Sequence, residues 1–488
     1  MHSGEQESYT SQNTRDIVQA TSTNVSPSDI APINVLLDEV LLEIFACYVE
    51  EYHVMGAWHT LARVCRRWRS IALGSPRRLN LRVFCLERLP VRTKLDSWPP
   101  FPIVLRILCP QYWPNFCKDN ILVTLERQYR VCEIGIWNIS SSLWATAIMP
   151  LMQKPFPILT VLNLQYNNGD GTRGPVIPNS FLGGSAPQLR ILHLENIPFP
   201  GLPNLLLSTT DLVHLKLHEI PDSGYISADT IATCLSTLTR LESFWLCFQS
   251  PLPAWERRRT SSSTRTFLPY LSSFEFKGVS EYLEDIVDGI DAPLLDTLRI
   301  CFFHQPIFDN QRLVQFIGRL PMLKTCNEAR INIGAWHASV EVLSISETIT
   351  KASLLLKDWY LQPVLQLSTL VQFCTSSLPQ ALIPTVGELR IYGDYFSRSP
   401  EQDGINPNLW RELFQPFTAV KDLYLSPDII PHISLVQQEL VGEGVMEFLP
   451  VLQNIFLGGL DRDELVPEGI EQFIAARQLA GRPISIHT

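Results

Sequence analysis

Three groups of residues have the types and spacing to do chemistry. The first is "GDGTRG", where Gly169, Gly171 and Gly174 form a GxGxxG pattern directly after the strand-like run "LTVLNL", and Glu195 closes the next such run. Glycines so spaced let a backbone approach a pyrophosphate, which the N-terminal amides of the following helix would hold. The continuation "PVIPNSFLGGSAP" carries Pro175, Pro178, Gly183, Gly184 and Pro187, and these residues forbid that helix. The segment reads as a loop. The second group is His214 and His218, four apart, a spacing that makes a metal pair on a helix with an HExxH glutamate. Here the intervening run is strand-like and the glutamate is missing, so both histidines read as surface or partner-facing. The third group is basic: "WERRRTSSSTR" at 255–265, read as an exposed loop, and "VCRRWRSIA" at 64–72, which sets arginines around one tryptophan.

The cysteines, 11 in all, include no CxxC pair and mostly sit in apolar runs. They read as small buried thiols in a reducing compartment, because a disulfide framework or a zinc site needs clustered spacing. No GxSxG, Walker loop or kinase-like set is present. The expectation is a chain that is not an enzyme, with no catalytic residue, no cofactor and no metal.

The elements that must carry any binding surface come next. Of 488 residues, 45% are apolar and 18% charged, with a formal net charge of -10. That supports a large core and argues against bulk attraction to nucleic acid phosphate. Residues 1–29, rich in Ser, Thr, Gln and Asn, read as a disordered tail without the order of a secretory signal. No uncharged apolar run approaches the roughly 18 residues of a membrane span. A soluble protein of the cytoplasm or nucleus is expected, with no nucleic acid or membrane partner.

Over 30–80 the pattern is helical. Val40, Leu41, Ile44, Phe45 and Tyr48 recur at helical spacing behind Asp38, a candidate helix cap, and a second helix is expected over Trp58–Ala72. Its stripe of Leu61, Val64, Cys65, Trp68, Ile71 and Ala72 would be buried, with Arg63, Arg66, Arg67 and Arg69 mainly opposite. The order "LLDEVLLEIF" then "WHTLARVCRRWRSIALGSPR" resembles the F-box. That resemblance implies docking on a Skp-family adaptor and, through it, a cullin in an SCF-type ubiquitin ligase. The matching positions, and hence the implied adaptor-binding residues, are Leu36, Glu39, Val40, Leu41, Ile44, Phe45, Val64, Cys65 and Trp68. Leu37 stands where the family pattern has proline, and Arg78 and Leu79 stand where a tryptophan is common. The loss of the proline removes a rigid helix entry but no side-chain anchor.

The rest of the chain, 81–488, reads as one repeat domain: from residue 131 onward an apolar residue followed by others three and five positions later recurs. It reads "VCEIGI" (131), "LTVLNL" (159), "LRILHL" (189), "LVHLKL" (212), "LESFWL" (241), "LSSFEF" (271), "LDTLRI" (295), "VEVLSI" (340), "VGELRI" (386), "VKDLYL" (420) and "LQNIFL" (452). Proline stands two residues before the first apolar position at Pro157, Pro187, Pro269, Pro293, Pro384 and Pro450, marking where a strand starts. Threonine does so at Thr210, Thr239 and Thr418. The period is that of a solenoid, with helices expected at 227–238, 280–290, 309–320 and 406–417.

The pattern resembles leucine-rich repeats, although the LxxLxLxxN asparagine is found at Asn167 and missing from most units. "LKTCNE" at 323 breaks the rule, and 340–386 is too long for one unit, so an insertion is expected. The fold class is therefore α/β: a small N-terminal all-α unit followed by an irregular leucine-rich-repeat-like solenoid.

Residues at offsets two, four and six should face outward. Of these, His193, His214, Lys216, Trp245, Glu275 and Arg299, with Arg390 and Tyr424, are the expected surface for an unidentified protein target. Asn163, Ile191, Glu388, Asp422 and Phe456 share that face. The leading reading is a substrate receptor of a ubiquitin ligase. Its alternatives are a repeat scaffold without a ligase, and an enzyme with a nucleotide at the glycine loop.

Overall fold

The computed structural model describes residues 36–51, 57–86, 91–108, 114–167, 176–251, 265–303, 310–334, 337–346, 349–359, 363–393, 407–440, 447–458 and 466–487. The tail at 1–29, the glycine loop at 169–174 and the basic run before Arg265 lie outside them. The chain divides into two compact units, Met1–Leu81 and Arg82–Thr488.

In the first unit are three helices, α1 (Asp38–Glu51), α2 (Ala57–Val64) and α3 (Arg66–Gly74). Leu41, Phe45, Trp58, Leu61, Ala62 and Ala72 are buried, and the rings of Phe45 and Trp68 lie 4.8 Å apart. The single helix expected over Trp58–Ala72 is instead broken at Cys65. This residue is extended (φ -154°, ψ 173°), and its thiol accepts the Trp68 N–H at 3.4 Å, capping α3. The break destroys the common stripe: Val64 and Cys65 are exposed, and Trp68 and Ile71 half-buried.

Asp38 does not serve as a cap. It is the first residue of α1, and its carboxylate accepts Arg67 Nε at 2.9 Å and Nη2 at 2.6 Å. Arg69 Nε donates to the Ala62 carbonyl at 2.8 Å, one of the acceptors that the end of α2 leaves open. Two of the arginines thus tie helices together, while Arg63 and Arg66 are exposed.

The second unit holds β1 (Val83–Leu86), β2 (Ile103–Leu108), β3 (Val131–Ile139), β4 (Val161–Tyr166), β5 (Ile191–Glu195), β6 (His214–Ile220), β7 (Ser243–Phe248), β8 (Thr266–Phe267) and β9 (Ser273–Gly278). It continues with β10 (Ile290–Asp291), β11 (Thr297–Phe302), β12 (Glu328–Ile333), β13 (His337–Ser346), β14 (Ile349–Trp359), β15 (Glu388–Gly393), β16 (Asp422–Leu425), β17 (Asn454–Leu457) and β18 (Ser485–His487). Apart from the short pair β8 and β10, these form one 16-stranded sheet in the order β1-β2-β3-β4-β5-β6-β7-β9-β11-β14-β13-β12-β15-β16-β17-β18. Neighbours are parallel except where β13 meets β12 and β14. The return segments include the helices Ala228–Leu235, Ser280–Asp288, Gln311–Arg319 and Pro407–Phe414, inside the ranges expected.

Within a unit the triplet is buried as its spacing requires: Leu159, Leu162 and Leu164, or Leu271, Phe274 and Phe276, are at most 1% exposed. A fourth buried position lies three residues upstream. The amides of Leu159, Leu189, Leu271, Leu295, Val386 and Leu452 donate to the carbonyls of Phe156, Ala186, Leu268, Ala292, Ile383 and Leu449 at 3.0 to 3.4 Å. Each is a four-residue turn with proline at its second position, where the ring pre-sets φ. The proline signal therefore marks a turn that presents its first residue to the core; those six residues are all buried.

Two expectations are corrected. "VEVLSI" at 340 is not a further unit, because it lies on the antiparallel β13. The segment at 323 does contain a unit, but in another register. Glu328, Ala329, Arg330 and Ile331 pair with Glu388, Leu389, Arg390 and Ile391, so its triplet is Cys326, Ala329 and Ile331, each buried. Cysteine and alanine are small enough to hide that pattern. The expected insertion is the meander β12-β13-β14, which reverses strand order and restores parallel pairing on both sides.

Candidate functional site

The outward face of the sheet is built by alternation. On β4, β5 and β9 every second residue is buried and the others are half-buried. Register aligns the offset-four residues of successive strands into one row. Asn163, His193, Lys216, Trp245, Glu275 and Arg299 follow one another from β4 to β11. Leu355 and Glu341 continue the row across β14 and β13, and Arg330, Arg390, Tyr424, Phe456 and His487 complete it from β12 to β18. His214 and Ile191 lie at offset two on β6 and β5, and Glu388 and Asp422 at offset two on β15 and β16. Each sequence-predicted target-facing residue sits on this face.

Two parts of the row are tied together by ring contacts. Lys216 Nζ lies 4.1 Å from the centroid of Trp245. Further along, the Arg390 guanidinium stacks 4.0 Å over Tyr424, Tyr424 lies 4.2 Å from Phe456 with planes 6° apart, and Phe456 lies 4.6 Å from His487. These spacings match the strand separation of about 4.8 Å, so parallel register itself makes the ladder. Arg390 is further held by Glu388, Tyr392 and Glu328. Burial, then the charges of Glu388 and its neighbours, push the Tyr424 hydroxyl up.

Around β5 and β6 the polar groups are crowded. Glu195 accepts Gln165 Nε2 at 2.8 Å and has His193 Nε2 at 3.5 Å and His218 Nδ1 at 3.8 Å. Burial, then the Lys216 ammonium and His218, push the His193 imidazole down to about 4. At neutral pH His193 is thus uncharged and makes no ion pair with Glu195. Glu219, in the left-handed region (φ 50°), is held by Lys277 at 2.7 Å. Among the described residues no group of His, Cys, Asp and Glu is placed to hold a metal ion.

In the first unit the F-box-like positions separate into two sets. Leu41 and Phe45 face inward, Trp68 packs on Phe45, and Leu36 is half-buried. Val40 (43% exposed), Ile44 (44%) and Val64 (56%) face solvent together with Glu39 and Cys65. Leu37, at 68%, stands three residues before Val40 and seven before Ile44, so one face at the start of α1 shows an apolar stripe to solvent. Arg78 pairs with Glu43 and Leu79 is buried, so the position of the missing tryptophan is filled.

Sequence reasoning missed the carboxylate of Glu284, which accepts the N–H groups of Arg312 at 2.9 Å and Leu313 at 2.6 Å. It caps the helix of the next repeat, a contact that no local motif announces. Among the described residues no helix is long and apolar enough to cross a membrane.

No family model matches the sequence, and no curated protein matches it. Among solved structures, the leucine-rich repeat-containing protein LegL7 from Legionella pneumophila aligns over 82% of this chain and 98% of its own, at 9% identity and a TM-score of 0.27. An alignment at that score carries no argument about function. The repeat reading rests on the register and burial described above.

Proposed function

We propose that this chain is a non-catalytic receptor. The three-helix unit docks on a Skp-family adaptor, and through it on a cullin-based SCF-type ubiquitin ligase, while the strand face of the repeats holds a protein target. Its place of work is the cytoplasm or nucleus, and its own residues carry out no bond chemistry. The observation that carries the adaptor arm is the stripe of Leu37, Val40 and Ile44 on α1 with Val64 on α2. These large apolar side chains face solvent in a unit whose core is formed by Leu41, Phe45, Trp58, Leu61, Ala62 and Ala72, and the last three are positions matched to the F-box. The target arm is supported by aromatic and arginine side chains fixed in one row, the residue types that dominate interface energetics.

Co-purification of the full-length protein with a Skp-family adaptor tests the adaptor arm, using Val40→Asp with Ile44→Asp as the contrast. Because both residues are exposed, the variant should keep its circular dichroism and lose the complex. Absence of a complex with the parent protein would remove the ligase assignment and leave a repeat scaffold that binds partners through its strand face.

A further inference from the structure

Near its first strands the outward face carries a feature that the repeat pattern does not require. Between β3 and β4, Ile136 pairs with Leu164 and Ile139 with Tyr166, so Trp137 and Asn138 stand opposite the single residue Gln165. Such a bulge re-aims a side chain, and Asn138 takes left-handed backbone within it (φ 60°). The indole of Trp137 is turned back over Gly135: a Cβ on that glycine would lie 2.6 Å from Cη2 and 3.1 and 3.2 Å from the adjoining ring carbons Cζ3 and Cζ2. Gly135 belongs to the outward row, between Arg106 of β2 and Asn163 of β4. One side of the ring therefore lies against the sheet and the other is turned away from it. Trp137 is half-buried, and its Nε1–H donates to no described residue. In register beside it stands Leu108, 56% exposed, and β4 adds the half-buried Val161.

The polar groups of this corner are already engaged. Glu133 accepts Arg106 Nε at 2.5 Å, and Arg82, which is bonded elsewhere as well, has Nη1 3.9 Å from the same carboxylate. No charge stands unpaired there, so neither an acidic nor a basic segment is favoured. Acceptors are scarce too. The Glu133 carboxylate is taken by arginines, Asn163 Oδ1 is closed to solvent without a partner, and Gln165 is turned to Glu195. A sugar, with a donor on every hydroxyl, would bury O–H groups that nothing receives, and an ordinary peptide backbone would do the same with its N–H groups. Proline has no N–H. Its ring can lie on the indole, and the carbonyl before it can accept the Trp137 Nε1–H, the division of labour by which aromatic grooves take extended proline-rich segments.

Resting on the reading that the strand face holds the target, we infer that its β2–β4 corner takes an uncharged, proline-containing extended segment of that target, with a proline on Trp137 and apolar neighbours on Leu108 and Val161. The bulge and Gly135 fix the indole before binding, which keeps the entropy loss on docking small.

The test uses the full-length protein and a short fluorescent peptide repeating Leu-Pro-Pro, with Leu-Ala-Ala, which restores the amide donors, as its counterpart. The proline peptide should bind, with no weakening at high salt, and the alanine peptide should not. Trp137→Ala should weaken binding about ten-fold, the scale of an aromatic interface anchor. Trp137→Phe keeps a ring and removes the N–H, and should weaken it about five-fold, the scale of one hydrogen bond. Tyr129→Ala removes a ring that is 70% exposed in the turn Gln128–Arg130 ahead of β3 and should leave binding unchanged. Circular dichroism should be the same for all three variants. Equal binding of the two peptides, or equal loss in Trp137→Ala and Tyr129→Ala, would overturn the inference. So would binding of a neutral oligosaccharide such as maltohexaose in place of the peptide, or self-association abolished by Trp137→Ala, which would make the corner an interface between two copies. With a target in hand, loss of its binding in Tyr424→Ala but not in Trp137→Ala would leave the receptor reading standing and remove this one.

Discussion

Replacing Glu284 by alanine should loosen one repeat without touching the strand face. Glu284 is 7% exposed and accepts two backbone N–H groups of the helix Gln311–Arg319. That helix has no cap of its own, because Asn310 makes no side-chain cap bond and instead donates through Nδ2 to Ser377 at 2.8 Å. Hydrogen bonds to a charged group contribute about 1.5 to 3 kcal/mol each, and a carboxylate at a helix N-terminus about 0.3 to 1 kcal/mol more. Relief of the buried carboxylate's own desolvation offsets part of this, so the net cost is about 3 kcal/mol. At 1.4 kcal/mol per factor of ten, local opening of the helix rises about 150-fold. Native-state hydrogen exchange reads this directly: the amides of Gln311–Arg319 should lose protection by that factor, while those of Ala228–Leu235 keep theirs. Glu284→Gln, which retains one acceptor, should lose less. Unchanged exchange in the alanine variant would refute the claim that the carboxylate holds neighbouring repeats together.

Three further outcomes follow from burial. His193, held down at about 4 against 6.5 in an unfolded chain, makes the unfolded state the stronger proton binder between those values, so its contribution to stability is full above about 6.5 and lost as pH falls to about 4. Urea midpoints across that window should show a slope that His193→Gln flattens; an imidazole signal titrating near 6.5 would contradict the placement. Burial pushes the thiols of Cys247, Cys326 and Cys374 up to about 12, whereas Cys47 and Cys65 are exposed. Iodoacetamide mapped by peptide mass should therefore mark Cys47 and Cys65 in the native protein, and the buried three only after unfolding. Phe45→Ala removes a fully buried ring and should cost about 3 to 5 kcal/mol, melting the first unit in a thermal scan, while Val40→Ala should stay within about 0.5 kcal/mol.

Much of the repeat was legible because its signal is redundant. Leu212, Leu215 and Leu217 repeat a spacing that Leu241, Phe244 and Leu246 also carry, and a proline or threonine stands upstream in most units. Legibility failed where side chains were small: Cys326 and Ala329 fill the same core positions as Val386 and Leu389 but do not stand out as apolar. It failed again at Cys65, where periodicity assumes one continuous helix axis and a thiol cap breaks it. The outward row was readable as a face, because alternation follows from strand geometry. Its ladder was not, since Arg390, Tyr424, Phe456 and His487 are 97 residues apart from first to last and meet only through register.

The meander of β12, β13 and β14 shows how an array tolerates a change of direction. A parallel neighbour must present the same side-chain phase, because a one-residue slip turns a buried position outward. After β11 the chain leaves two positions open, lays down β12, and returns through β13 to set β14 against β11, so that Leu354 and Leu356 meet Leu298 and Ile300. On the far side Ala329 and Ile331 meet Leu389 and Ile391. The core is therefore continuous through the reversal. The outward row is continuous too, but its content changes there: Leu355 and Glu341 separate the Lys216–Trp245 end from the Arg390–His487 ladder. On the proposed receptor reading, a target that spans both ends must cross the meander, so Leu355→Asp, in the outward row of β14, should alter how the two ends act together more than the binding of either alone.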